Sequence, residues 1–185
     1  NGRSNYILFC RGNQQFSPER NEELLNRNAE RLYISTKDID KYLRYQEKNL
    51  KCIVEDSSKS SLQKSGVLYQ VAKNLTQDVL DDPKSGQNIG RASTWVGNTI
   101  THIMQNENTF SSLFEVTSKD YQTYTHSINV SVIGLLFGKY LSLTPNELEC
   151  LGTGLLLHDI GKSILPQDIL NKDNNLTSKE FNIIK

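Results

Sequence analysis

The sequence predicts a mainly α-helical fold, an incomplete helical bundle preceded by a small α/β module. Three observations carry this. From Leu62 onward the apolar residues recur at three- and four-residue spacing, the period of a helix. Ahead of it, Tyr6-Ile7-Leu8-Phe9-Cys10 and Arg31-Leu32-Tyr33-Ile34-Ser35 are short runs rich in β-formers. Ser57-Ser58-Lys59-Ser60-Ser61, the one low-complexity stretch, separates the two regimes. The expected organisation is a regulatory or docking module over residues 1–56, a linker over 57–61 and the helical domain over 62–185.

Taken in order, Tyr6 to Cys10 reads as a strand. Ser17-Pro18-Glu19 then supplies an N-cap, a proline at the first helical position and an acid in the first turn. A short helix through Leu24 and Leu25 follows, then a second strand over Arg31 to Ser35. Thr36 to Ile39 opens a helix with Ile39, Tyr42, Leu43, Leu50 and Ile53 on one stripe. In the helical domain, Leu68, Val71, Ala72, Leu75 and Val79 form one face, stopped at Asp82-Pro83. The helix over 62–80 has an apolar stripe that needs a cover, either a second copy in a homodimer or the rest of the domain. A helix from about Ile89 to Asn106 carries Ala92, Val96, Ile100 and Ile103. A short one spans Phe110 to Val116, and two more run from Tyr124 to Leu141 and from Pro145 to His158.

With 185 residues the chain is long enough to bury a real core. Basic and acidic residues number 21 each, so no charge excess points to nucleic acid or an anionic membrane. No apolar run reaches the length of a membrane span. Cys10, Cys52 and Cys150 form no C-x-x-C pair and read as small core residues, with a reducing cytoplasm the default location. Gly86, Gly90 and Gly97 follow no strand and make no phosphate loop. Tyr33, Tyr42 and Tyr45 lie among cations whose charge Asp38, Asp40 and Glu47 cancel, which reads as a solvated helix.

The chain has three histidines. His102 falls off the apolar stripe of its helix and reads as a surface or boundary residue. His126 shares helical spacing with Val130, Ile133 and Phe137, which puts it on an apolar face. His158 ends the next helix, three residues after Leu155 and seven after Leu151, with Asp159 next and Gly161 where a helix C-cap is due. A carboxylate beside an imidazole at a core-facing helix end needs compensation, and a divalent metal supplies it. Gly152 and Gly154 would let the two helices approach closely. A pair of satisfied core histidines in a close-packed interface accounts for the same residues, and both readings stay open.

His158-Asp159-Ile160-Gly161-Lys162, preceded by Leu155-Leu156-Leu157, resembles the signature of the HD superfamily of metal-dependent phosphohydrolases. Tyr124-Thr125-His126-Ser127-Ile128-Asn129-Val130 is similar to a segment of HD-GYP domains. So are Ile164-Leu165-Pro166, Ile169-Leu170-Asn171-Lys172 and Leu176 to Phe181, and upstream Asp82 to Gly86. The resemblance covers roughly residues 65–185. It implies an incomplete HD-type helical bundle whose parent protein hydrolyses cyclic di-GMP to linear pGpG or GMP in bacterial signalling. It further implies two or three divalent ions, iron or manganese. His126, His158 and Asp159 would be metal ligands, with Asp159 bridging two ions and Lys162 contacting a substrate phosphate. The G-Y-P string does not occur, and the family's next ligand histidine is due just after Lys185. Gln122 stands where some members have an acidic ligand, and Asp120 is the nearest carboxylate. The expectation is a piece cut at both ends that holds too few ligands to turn over substrate by itself. The alternative is a catalytically inactive HD-like domain that binds a nucleotide or a protein partner. A narrower one is another HD phosphohydrolase acting on nucleotides.

Overall fold

A computed structural model describes residues 17–27, 32–105, 109–117 and 125–184, and the chain divides into two compact units, Asn1–Ile39 and Asp40–Lys185. The first unit holds helix α1 (Pro18–Asn26), opened as expected by the Ser17 side chain accepting from the Arg20 amide, with Pro18 in the first turn. A 3-10 turn over Thr36–Asp38 closes the unit. The α/β character expected of this region is corrected. Among the described residues there is no strand, and residues 32–35 run without regular structure, with Leu32, Tyr33 and Ile34 exposed. β-formers alone do not make a strand, because a strand is stabilised by a ladder partner. The strand expected at Tyr6–Cys10 lies outside the described residues.

The second unit is a helical bundle. Helix α2 (Ile39–Lys48) ends at Asn49, and α3 (Leu50–Glu55) continues after it. The single stripe expected across both is therefore split: Leu43 and Leu50 are buried, while Ile39 and Tyr42 are exposed. Leu50 and Val54 belong to the main core, so the compact unit starts at Asp40, well ahead of the serine-rich stretch. That stretch instead makes a turn and a cap. Ser60 and Gln63 form a capping box that starts α4 (Ser61–Asp81).

Helix α4 buries Leu68, Val71, Ala72, Leu75 and Val79, the face read from the sequence, against α5 (Gly86–Gln105), α6 (Thr109–Thr117) and α7 (Thr125–Tyr140). Its stripe is covered by its own domain, so the ground for a homodimer through residues 62–80 falls away. Trp95 is buried with its indole N–H on the Leu68 carbonyl at 2.8 Å, locking α5 to α4. His102 is 1% exposed, not a surface residue. Its Nε2 lies 3.0 Å from the Ser65 hydroxyl, and burial with Lys64 nearby pushes its pKa down to about 4. Off the stripe of α5 it still meets the first turns of α4, which a single-helix reading does not contain.

Helices α7 and α8 (Pro145–Leu157) form an antiparallel hairpin. The amide of Leu143 bonds the Gly138 carbonyl and that of Ser142 the Lys139 carbonyl, with Ser142 left-handed at φ 59°. This closes α7 and reverses the chain. Thr144 and Glu147 form a capping box, with Pro145 in the first turn, and open α8 at once. After α8 come a 3-10 turn over Ile160–Ile164, α9 (Gln167–Leu170) and α10 (Ser178–Ile184). Cys52 and Cys150 are exposed free thiols, against the expectation of core packing.

Candidate metal centre

Because α7 and α8 are antiparallel, the start of one and the end of the other meet at the same end of the bundle. His126 is in the first turn of α7, and His158 caps α8. Their rings stand edge to face with centroids 5.4 Å apart. Asp159 follows His158 into the 3-10 turn, and one ligand atom from each of His126, His158 and Asp159 lies within 4.8 Å of the other two. Two imidazoles and a carboxylate gathered this closely are a donor set suited to a divalent ion.

Close helix approach produces this meeting. A Cβ at Gly152 would come within 2.7 Å of Leu135 Cδ2 and 2.8 Å of Val96 Cγ1. One at Gly138 would come within 2.6 Å of Leu148, and one at Gly134 would overlap Leu155. The buried Ser131 hydroxyl donates to the Gly152 carbonyl at 2.8 Å, bridging the helices beside these contacts. Gly154, expected to share the role, meets nothing within 4 Å. The spacing Ser127, Ser131, Gly134, Gly138, absent from the sequence expectation, is a small-residue stripe at helical period.

The burial of these three residues differs from the sequence expectation. His126 and His158 are exposed and Asp159 half-buried. The apolar face that carries His126 is itself open, with Ile133 53% and Phe137 59% exposed, because α7 buries the opposite side through Ile128, Val132 and Leu135. The expected glycine cap also fails to form: Gly161 has no positive φ, and the chain tightens into a 3-10 turn instead.

Hydrogen bonds orient the donors. His158 Nδ1 lies 2.7 Å from the Leu155 carbonyl, and since a carbonyl only accepts, Nδ1 carries a proton there. Nε2 points at Asp159, 3.3 Å from Oδ2. Lys162 donates to the same Oδ2 at 2.7 Å. That bond holds the Asp159 carboxyl below the ordinary carboxylate range; burial opposes it, and the charges of His158, Lys162 and His126 reinforce it. All four residues singled out in the sequence thus fall in one cluster. Tyr124, Gln122, Asp120 and Lys185 lie outside the described residues.

The chain is similar to known proteins in sequence and in fold. The HD domain family matches residues 123–185. A cyclic di-GMP phosphodiesterase of Pseudomonas aeruginosa is 31% identical over 123 residues, which are 65% of this chain and 30% of that protein. The chain therefore spans less than a third of the curated relative it matches. An HDG"Y"P protein from Bdellovibrio bacteriovorus has a solved structure that superposes with a TM-score of 0.61 at 21% identity. The superposition covers 92% of this chain and 56% of that one, and it shows a shared fold. No helix of the described residues is long and apolar enough to cross a membrane.

Proposed function

With residues 123–185 matching the HD domain family and the chain carrying an HD-GYP-like helical fold, we propose that it serves a metal-dependent phosphohydrolase that cleaves cyclic di-GMP to linear pGpG or GMP. The observation that carries the reading is the convergence of His126, His158 and Asp159 ligand atoms within 4.8 Å at one end of the α7–α8 hairpin. The named activity of the Pseudomonas relative supports the substrate.

The residues fit a bound divalent ion, which would supply an acidified water and a clamp for phosphate oxygens. Iron and manganese are the proposed ions. His158 offers Nε2 because the Leu155 carbonyl holds the proton on Nδ1. Asp159 brings the negative charge that favours a cation over a neutral ligand. His126 approaches from the other helix, so the site forms only when α7 and α8 are in register. Lys162 places an ammonium where a phosphoryl group gathers negative charge. Three donors among the described residues are enough for one ion, and a second or third would draw on further groups.

The test measures bound metal and cyclic di-GMP turnover in this chain and in the full product of its gene. His158→Ala and Asp159→Ala should abolish metal content and turnover together; activity that survived metal loss would refute the site. A second reading is an inactive HD-like domain that binds a nucleotide or partner. It is supported if the full gene product binds metal and nucleotide but releases no linear product.

A further inference from the structure

Asp159 Oδ2 faces Nε2 of His158 at 3.3 Å and accepts from the Lys162 ammonium at 2.7 Å. One oxygen thus answers to two claims, a metal held with the imidazole and the lysine already there. We infer that Lys162 is a displaceable counter-ion: it neutralises Asp159 while no metal is bound, and metal binding turns its ammonium away to meet an incoming anion. The inference rests on the reading of His126, His158 and Asp159 as metal ligands.

Three features make the exchange easy. The Lys162 side chain is 61% exposed, so it can leave into water without opening the core. An exposed pair of this kind adds little to stability, so the fold does not depend on keeping it. The Lys162 amide bonds the Asp159 carbonyl at 2.9 Å, so the turn keeps the lysine beside the site after its ammonium has moved. A divalent ion and an ammonium close to one carboxylate oxygen repel each other, and only the lysine is free to move. Metal therefore binds first and anion second, because the positive charge that receives the anion is released by the metal.

The experiment titrates Mn²⁺ into the wild-type chain, Lys162→Gln, Lys162→Arg and Asp159→Asn by calorimetry. In parallel, the Lys162 Nζ resonance, assigned by its loss in Lys162→Gln, is followed by NMR during addition of diamagnetic Zn²⁺. Removing the competitor should tighten Mn²⁺ binding about fivefold at low salt, the size of an exposed ion pair of up to ~1 kcal/mol. Lys162→Arg should stay near wild type, and the Nζ resonance should shift as Zn²⁺ saturates. Lys162→Gln binding no tighter than wild type, or a resonance that Zn²⁺ leaves in place, overturns the counter-ion role. Asp159→Asn binding Mn²⁺ as well as wild type would instead refute the metal site itself, whatever Lys162 does.

Discussion

Gly152→Ala places one methyl group where α7, α8 and α5 come closest. Its Cβ would lie 2.7 Å from Leu135 Cδ2 and 2.8 Å from Val96 Cγ1, against an ordinary contact of 3.4 Å or more. Leu135 and Val96 are both fully buried, so neither can swing into solvent. The helices must separate by a few tenths of an ångström or the side chains must leave their rotamers. Overpacking of this kind costs about 1–3 kcal/mol. For a unit of this size that lowers Tm by roughly 3–10 °C. The separation also exceeds the ~0.2 Å tolerance of metal–ligand distances. Mn²⁺ binding should therefore weaken by about tenfold, as when a group that orients a ligand is lost. Gly154→Ala is the internal control, two residues along the same helix with nothing within 4 Å of its Cβ. Replacing an exposed helical glycine there should stabilise by ~0.5–1 kcal/mol and leave metal affinity alone. Thermal melts and Mn²⁺ calorimetry on both variants decide the matter. If Gly152→Ala is as stable as wild type with unchanged affinity, or Gly154→Ala does equal damage, close approach does not set the site.

Further outcomes follow from other residues. Ser142 holds φ 59° at the end of α7, a conformation that costs an L-residue ~1 kcal/mol or more; Ser142→Gly should raise the urea midpoint at unchanged slope. His102 has its pKa pushed down to about 4 by burial and the nearby Lys64. The unfolded chain takes up that proton near pH 6.5 while the folded chain does not, so stability is full above 6.5 and falls as pH drops toward 4. The loss between pH 7 and 4.5 is on the order of 2 kcal/mol, and His102→Gln should flatten it in urea titrations at the two pH values. Glu180 accepts from Lys172 and from the Thr177 amide and hydroxyl, which hold its carboxyl down at about 2. The order of α10 that depends on this carboxylate is present above about pH 4.5 and lost as pH falls toward 2. NMR titration should find that Lys172→Gln moves the Glu180 midpoint upward.

In the second unit α4 and α8 were legible because each carries its own signal, an apolar stripe or a proline at its start. Leu68 to Val79 in α4 and Pro145 at the start of α8 are these signals. The cluster was legible too, since His158-Asp159 and His126 are local patterns joined by one short turn. What the sequence could not supply was the covering of faces. The stripe of Val130, Ile133 and Phe137 is apolar, but exposure is decided by what packs on it, and α7 turns Ile128, Val132 and Leu135 inward instead. His102 reads as a surface residue for the complementary reason: its partner Ser65 lies 37 positions earlier, on another helix. The β-formers at Leu32 to Ile34 and the thiols Cys52 and Cys150 show the same limit, since residue preference is an average over environments.

The reversal at Ser142 has a metrical consequence. His126 and His158 each stand sixteen positions from it, one on either side, so the two arms of the hairpin measure out equal lengths to the cluster. Adding one residue inside either arm advances its histidine by about 1.5 Å and rotates it by about 100°. The same residue added at the bend leaves both arms whole. A single-codon insertion thus disperses the cluster with every one of its side chains retained, which makes chain length between the histidines as much a part of the cluster as their identity.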